Sequence, residues 1–413
     1  MITVEHALNH ILKSVSTLGT EKINILDALG RVLAEDVYAP RNIPPHDNSA
    51  MDGYALTAED TMGASEESPL FFEVIEDIPA GYLPQKIVGF AEASKIMTGA
   101  LMPEGADAVV PIEDTELEEG RVKISQDLSI GTNVRYSGED VTEGECVLVT
   151  GTVIRPAEIG MLSSLGRSFI KVHRKPLVAI LASGDELIDI DGVPAPEKII
   201  NSNSYSIAAQ VTECGGIPLH LGIARDTRED ITAQFREALR ADIIVSSAGV
   251  SVGDYDFVGD AMQDLHISVD FHTVAQRPGK PFTFGTMGAI PVFGLPGNPV
   301  SSMVSFEQYV RPTMLKMTGY TKLFRRTVQA VLKEDITKKK GLRYFLRAIV
   351  TTDNDTYSVV TTGAQGSGIL KSMVRANGIM VLPEELTTVK AGNTVTVQLI
   401  DNLFEQTDTP GYL

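Results

Sequence analysis

Apolar positions recur at helical spacing over residues 3–16 and again over 23–37, where Ile25, Leu26, Ala28, Leu29, Val32 and Leu33 make one stripe. The pattern predicts two amphipathic helices. Residues 38–55 interrupt it with Pro40, Pro44, Pro45, His46, Asp47 and Asn48. From about 70 to 150 the period shortens. Short β-like runs at 71–75, 108–112 and 147–149 are parted by Gly and Pro turns, which predicts a small β domain inserted between helical pieces. Helical spacing returns over 158–165, so the first and third pieces are expected to form one discontinuous domain.

From about residue 176 strands and helices alternate. The runs 177–181, 218–223, 243–247 and 290–295 read as buried strands, and 203–214, 231–239 and 299 to about 316 as helices. Such an alternation predicts a three-layer, mostly parallel α/β domain, with ligands bound beyond the carboxyl ends of the strands. The turns at those ends are Ser183-Gly184-Asp185-Glu186, Arg225-Asp226, the stretch after Ser247, and Pro296-Gly297-Asn298-Pro299. Residues 321–413 form a separate β-rich unit with runs at 327–332, 343–351, 357–361, 378–382 and 394–399. The expected class is multidomain α/β. Its parts are a discontinuous domain (1–45 with 141–175), an inserted β-rich domain (46–140), the α/β domain (176–320) and a C-terminal β-barrel-like domain (321–413).

Composition narrows the function classes. The 413 residues are 43% hydrophobic and 22% charged, as in globular proteins. No apolar run is long enough to cross a membrane and the first residues do not read as a signal peptide, so a soluble, cytoplasmic protein is expected. Two cysteines, Cys146 and Cys214, leave no disulfide framework or cysteine-based zinc site. A net charge of −19 argues against nucleic acid as a partner. The charge is uneven: residues 101–150 carry twelve Asp and Glu against three Lys and Arg, whereas 321–413 carry twelve Lys and Arg against nine Asp and Glu. An anionic small molecule would sit nearer the latter.

Candidate chemistry clusters at the strand ends. After Ile243-Ile244-Val245 comes a turn with Gly249, Ser251 and Gly253, then Asp254 and Asp256. Glycines let backbone N–H groups close on an anion, and carboxylates add a place for a divalent cation, so the segment predicts a phosphorylated ligand handled with metal. Gly297 and Asn298 precede a helix whose first turn holds Ser301, an arrangement that serves either as a plain cap or as an anion site. Gln276-Arg277-Pro278-Gly279-Lys280-Pro281 is a proline-stiffened cationic turn: an oxyanion site, or a solvated hairpin tip. Glu186 and Asp226 come directly after strands and would either hold metal or favour helix N-termini. Asp52-Gly53 and Thr98-Gly99 read equally as β-turns. The seven histidines show no metal spacing.

Taken together, these segments resemble the molybdopterin molybdenumtransferase family of molybdenum cofactor biosynthesis, which includes the E domain of gephyrin. The resemblance runs from Thr3 to about Val397. Its markers are 47–55, 96–100, Ser137-Gly138-Glu139-Asp140, 183–187, 201–204, 248–256, 277–281 and 295–301, in family order. It implies a four-part subunit that forms a homodimer and an enzyme with two substrates, molybdate and adenylylated molybdopterin. Molybdate is delivered to the dithiolene, and the adenylyl bond is hydrolysed with Mg²⁺ to release AMP. The resemblance also assigns roles. Asp52 and Thr98 act across the dimer interface. Gly249, Ser251, Gly253, Asp254, Gly297 and Asn298 hold the pterin phosphate and pyrophosphate. Glu186, Asp226, Asp254 and Asp256 hold Mg²⁺ or orient water. Arg277, Lys280, Ser301 and Ser367 meet molybdate. The family's C-terminal arginine has two candidates, Arg343 first and Arg347 behind it. Two departures are Ala248-Gly249 for a glycine pair and Arg277 where lysine is also common. A molybdopterin adenylyltransferase shares the α/β core but not the 1–175 and 321–413 units, and would be at most a transient partner. A purely scaffolding role would predict an exposed apolar groove or a long linker to another domain, and no such linker reads in the sequence.

Overall fold

The computed structural model describes residues 1–193, 195–247, 257–353, 356–401, 404 and 406. The chain divides into two compact units, one of residues 1–22, 30–34 and 171–413, the other of 23–29 and 35–170.

The first unit is built on a six-stranded sheet in the order Ile217–Ala224, Leu177–Ser183, Ile243–Ser247, Ile290–Leu295, Pro281–Met287, Ser268–Thr273. The first four strands are parallel, and Pro281–Met287 runs antiparallel to both of its neighbours, so Ser268–Thr273 again runs with the first four. Successive side chains along a strand face opposite ways, and both faces are apolar here because helices cover both. Val178, Ile180, Ile243 and Val245 pack with helices Ser202–Glu213 and Pro299–Ser305 and with the N-terminal helix Val4–Ser14. Ala179, Leu181 and Ile244 pack with helix Arg228–Ala238 on the other side. Chain order reverses between Leu177–Ser183 and Ile243–Ser247, which opens a crevice at their carboxyl ends.

The basic C-terminal segment closes a five-stranded barrel: Arg343–Asp353, Thr356–Thr361, Thr327–Leu332, Thr394–Leu399 and Gly378–Leu382, which pairs back onto the first strand. A two-residue strand, Gln276–Arg277, pairs in parallel with Arg343 and Tyr344. The cationic turn of the α/β domain is thereby laced to the barrel.

The second unit holds a six-stranded sheet in the order Ala108–Pro111, Gly53–Leu56, Glu92–Ile96, Leu70–Ile78, Arg121–Ile124, Thr115–Glu118. Tyr54, Leu56, Phe72, Val110 and Val122 fill one core, and Ala55, Ile78, Ile96 and Val109 another. Helix Pro156–Ser164 opens with Glu158 reaching back to the cap residue, Arg155, whose N–H donates to Glu158 Oε2 at 2.8 Å. The helix expected over 23–37 is not formed. Ile25–Asp27 is one short 3₁₀ turn, Gly30 takes a left-handed conformation (φ +73°), and Val37–Tyr38 is a strand. The stripe divides accordingly, with Ala28, Val32 and Leu33 buried while Leu26 and Leu29 are 79% and 61% exposed. Cys146 and Cys214 are both free thiols, and among the described residues no helix is long and apolar enough to cross a membrane.

Candidate functional site

The strand Leu177–Ser183 runs into Gly184 at φ +149°. A Cβ at this position would lie 2.6 and 2.7 Å from the two carboxylate oxygens of Glu186, so only glycine lets that carboxylate fold back over the turn. The neighbouring turn after Ile217–Ala224 is tied to it reciprocally. The Asp185 N–H donates to Asp226 Oδ2 at 3.3 Å, and the Asp226 N–H donates to Asp185 Oδ1 at 3.2 Å. Glu186 and Asp226 thus stand in paired turns at adjacent strand ends, with Asp185 as a linking residue that sequence reasoning did not single out. A third strand end joins through Asn203, whose Nδ2 donates to Ser247 Oγ (2.9 Å) and to the Gly297 carbonyl (2.8 Å). Asn203 lies in a recognised marker, but its bridging role depends on the fold. Gly249, Ser251, Gly253, Asp254 and Asp256 lie outside the described residues.

Asn298 occupies the N-cap position of Pro299–Ser305, yet its side chain makes no capping bond. Its carbonyl accepts from the Ser302 N–H at 2.9 Å, and the Val300 N–H donates to the Ser367 carbonyl at 3.1 Å. The loop from the barrel therefore occupies one of the helix's free donors. Arg277, Lys280, Asn298, Ser301 and Ser367 line one cavity of about 300 Å³. Of these, Arg277 and Lys280 are exposed and Ser301 is buried. The Arg277 guanidinium stands over the Tyr344 ring, 5.4 Å from its centroid, and Nη1 donates to the phenol oxygen at 3.4 Å.

The two C-terminal arginines differ sharply. Arg343 Nη2 donates to Glu384 Oε2 and to Glu5 Oε1, each at 3.0 Å, so its charge is already matched twice. Arg347 is fully buried, with Nε donating to Ser372 Oγ and Nη2 to the Gly366 carbonyl, each at 3.0 Å. Among the described residues no carboxylate pairs with Arg347. Burial, with the Arg277 charge added, pulls its guanidinium down to about 10. Arg347 and Arg277 both line a second cavity of about 530 Å³, which shares Gln365 with the first.

In the other unit, Asp52 Oδ1 accepts from both the backbone N–H and the hydroxyl of Thr98, each at 2.7 Å. Those two bonds hold the Asp52 carboxyl below its ordinary range. The segments 47–55 and 137–140 also meet, since the Ser137 N–H donates to Asp47 Oδ1 at 2.7 Å. Thr98→Val removes the hydroxyl donor. The acid limb of any activity that needs ionised Asp52 is expected to move to higher pH, toward the ordinary carboxylate value, as read from the pH–rate profile.

Carboxylate oxygens are the donors a hard cation takes. Among the described residues, however, no three His, Cys, Asp or Glu side chains gather closely enough to hold one.

Three family models cover most of the chain: MoeA N-terminal region (domain I and II) over residues 2–166, probable molybdopterin binding domain over 179–316, and MoeA C-terminal region (domain IV) over 329–400. The molybdopterin molybdenumtransferase of Staphylococcus aureus (strain MRSA252) is 36% identical over 405 residues, spanning 97% of this chain and 96% of the relative. Molybdopterin molybdenumtransferase 2 of Mycobacterium tuberculosis (strain ATCC 25618 / H37Rv) is 38% identical over 385 residues, 91% and 94% of the two chains. The crystal structure of a molybdopterin biosynthesis MoeA protein from Pyrococcus horikoshii superimposes with a TM-score of 0.83 at 33% identity, covering 97% of this chain and 99% of that one. With all of its architecture and nearly all of its length accounted for in this way, the chain belongs to the molybdopterin molybdenumtransferase family of enzymes of molybdenum cofactor biosynthesis.

Proposed function

We propose that this enzyme inserts molybdate into adenylylated molybdopterin and hydrolyses the adenylyl bond, releasing AMP and molybdenum cofactor. The observation that carries the proposal is the cavity in which Arg277, Lys280, Asn298, Ser301 and Ser367 converge. Two cations and two hydroxyls around about 300 Å³ suit a tetrahedral dianion. Arg347 supplies a further positive charge from the barrel side, and takes the role first expected of Arg343. The strand-end turns carrying Glu186, Asp226 and Gly297, with 249–256, would hold the pterin phosphate and pyrophosphate. Mg²⁺, when bound there, would take oxygens from Glu186, Asp226, Asp254 and Asp256 and neutralise charge on the pyrophosphate. In the hydrolysis, a water oxygen bonds to the adenylyl phosphorus. The bridging P–O bond breaks, the bridging oxygen leaves with the pterin phosphate, and the proton shed by the water passes to solvent. Asp52, kept ionised by Thr98, is a weak base and acts by accepting a hydrogen bond from the attacking water. We place Asp52 and Thr98 at the cleft of the partner subunit in a cytoplasmic homodimer, with molybdopterin adenylyltransferase as a transient donor of substrate.

The deciding experiment tracks AMP release and cofactor formation from adenylylated molybdopterin with purified protein, Mg²⁺ and molybdate. Release that depends on molybdate supports the proposal, and tight binding without release would overturn it. Within that assay, Lys280→Ala is expected to raise the KM for molybdate by about tenfold while excess molybdate restores the rate, since an exposed point charge adds attraction more than geometry. Failure of excess molybdate to restore any rate would refute the attracting role.

A further inference from the structure

We infer that Gln276 and Tyr309 form a buried clamp that sets the position of the Arg277–Lys280 turn, making Gln276 a positioning residue for oxyanion capture. The inference rests on the molybdate reading of the adjoining cavity.

Both side chains are 0% exposed. Gln276 Nε2 donates to the Gly279 carbonyl at 3.0 Å and reaches Ser305 Oγ at 3.4 Å, while its Oε1 accepts from the Tyr309 hydroxyl at 2.5 Å. A carbonyl only accepts, so the Gly279 bond fixes which end of the amide faces the turn and leaves Oε1 for the phenol. Tyr309 is itself held firmly. Its ring packs on Phe282 at a centroid distance of 4.5 Å, and it lies within a π-helical turn, Phe306–Val310, between Pro299–Ser305 and Arg311–Met317. A π-turn inserts an extra residue and rotates the remainder of the helix, which here brings a phenol from a core helix under the cationic turn.

The turn rests directly on this support. Gly279 has φ +84°, and a Cβ there would lie 2.5 Å from Ser305 Oγ and 2.8 Å from Gln276 Nε2. The Val274 N–H closes the base of the turn by donating to the Lys280 carbonyl at 3.0 Å. Arg277 and Lys280 flank the clamped residues, so the backbone beneath their charges is fixed before any anion arrives. Such preorganisation raises affinity by reducing the cost of ordering the turn on binding.

The test uses the full-length protein with Tyr309→Phe, Gln276→Leu and the two combined, measuring thermal midpoint and molybdate saturation of cofactor formation. Each single variant leaves a buried polar atom unpartnered, so the thermal midpoint falls and the KM for molybdate rises by about three- to tenfold, with kcat nearly unchanged. In the double variant the phenol–amide pair is gone and the thermal midpoint regains part of the loss seen in Gln276→Leu, but the KM stays high because the Gly279 carbonyl has lost its donor. Recovery of KM together with the midpoint would show a merely structural pair and overturn the clamp, as would a wild-type KM in every variant. Wild-type protein whose rate shows no saturable dependence on molybdate would instead overturn the molybdate reading, and the clamp's role with it.

Discussion

Replacing Asp52 by alanine is expected to slow cofactor formation by about two orders of magnitude, the usual weight of a group that orients the attacking water. Folding should be unaffected. Asp52 is exposed, both its side-chain bonds go to Thr98 on the same surface, and the adjoining strand Gly53–Leu56 is held by its own sheet. Circular dichroism and the thermal midpoint would therefore match the parent while AMP release is lost. Asp52→Asn keeps shape and one acceptor, so activity intermediate between parent and alanine variant would assign the remainder to charge. If Asp52 serves the partner's cleft, subunits carrying Asp52→Ala and Lys280→Ala complement each other at limiting molybdate, where neither variant alone is efficient: random mixing leaves about a quarter of the sites intact. Full activity in Asp52→Ala would remove the residue from the mechanism.

Arg347→Met and Arg343→Met should behave as opposites. Arg347 is buried without a carboxylate among the described residues, so an apolar side chain of similar length is expected to leave stability unchanged or raise it by about 1 kcal/mol. The same change removes a desolvated cation beside Arg277 and should weaken molybdate binding by about a hundredfold. Arg343→Met strands Glu384, whose Oε1 is already buried without a partner, and should cost about 2 kcal/mol of stability while molybdate saturation is retained. Calorimetry of molybdate binding alongside denaturant titration reads both effects. A loss of affinity confined to Arg343→Met would return the role to that residue.

The α/β architecture is legible in the chain because its strands are short, continuous apolar runs, and 177–181 and 243–247 have no other way to be buried on both faces. The 23–37 stripe misleads because periodicity registers Leu26 and Leu29 as apolar without registering that Gly30 turns the chain away. Arg343 and Arg347 are four residues apart on one strand, so they share a face and local pattern cannot rank them. What separates them is Glu5, brought from the far end of the sequence to only one of the two. Asp185, Asn203 and Gln276 escape notice for the same reason: their partners, Asp226, Gly297 and Tyr309, are distant in sequence.

The pairing of Gln276–Arg277 with Arg343–Tyr344, and of Val300 with Ser367, bears on how this protein tolerates modular change. The α/β domain presents strand ends and a cationic turn, but one wall of the cavity proposed for the oxyanion is stitched from the barrel by main-chain hydrogen bonds. Those bonds are indifferent to side-chain identity. The barrel's surface is thus free to drift in sequence while its backbone path is not, and a graft that kept every pocket side chain but shifted the barrel's register by one residue would leave the pocket open on that side.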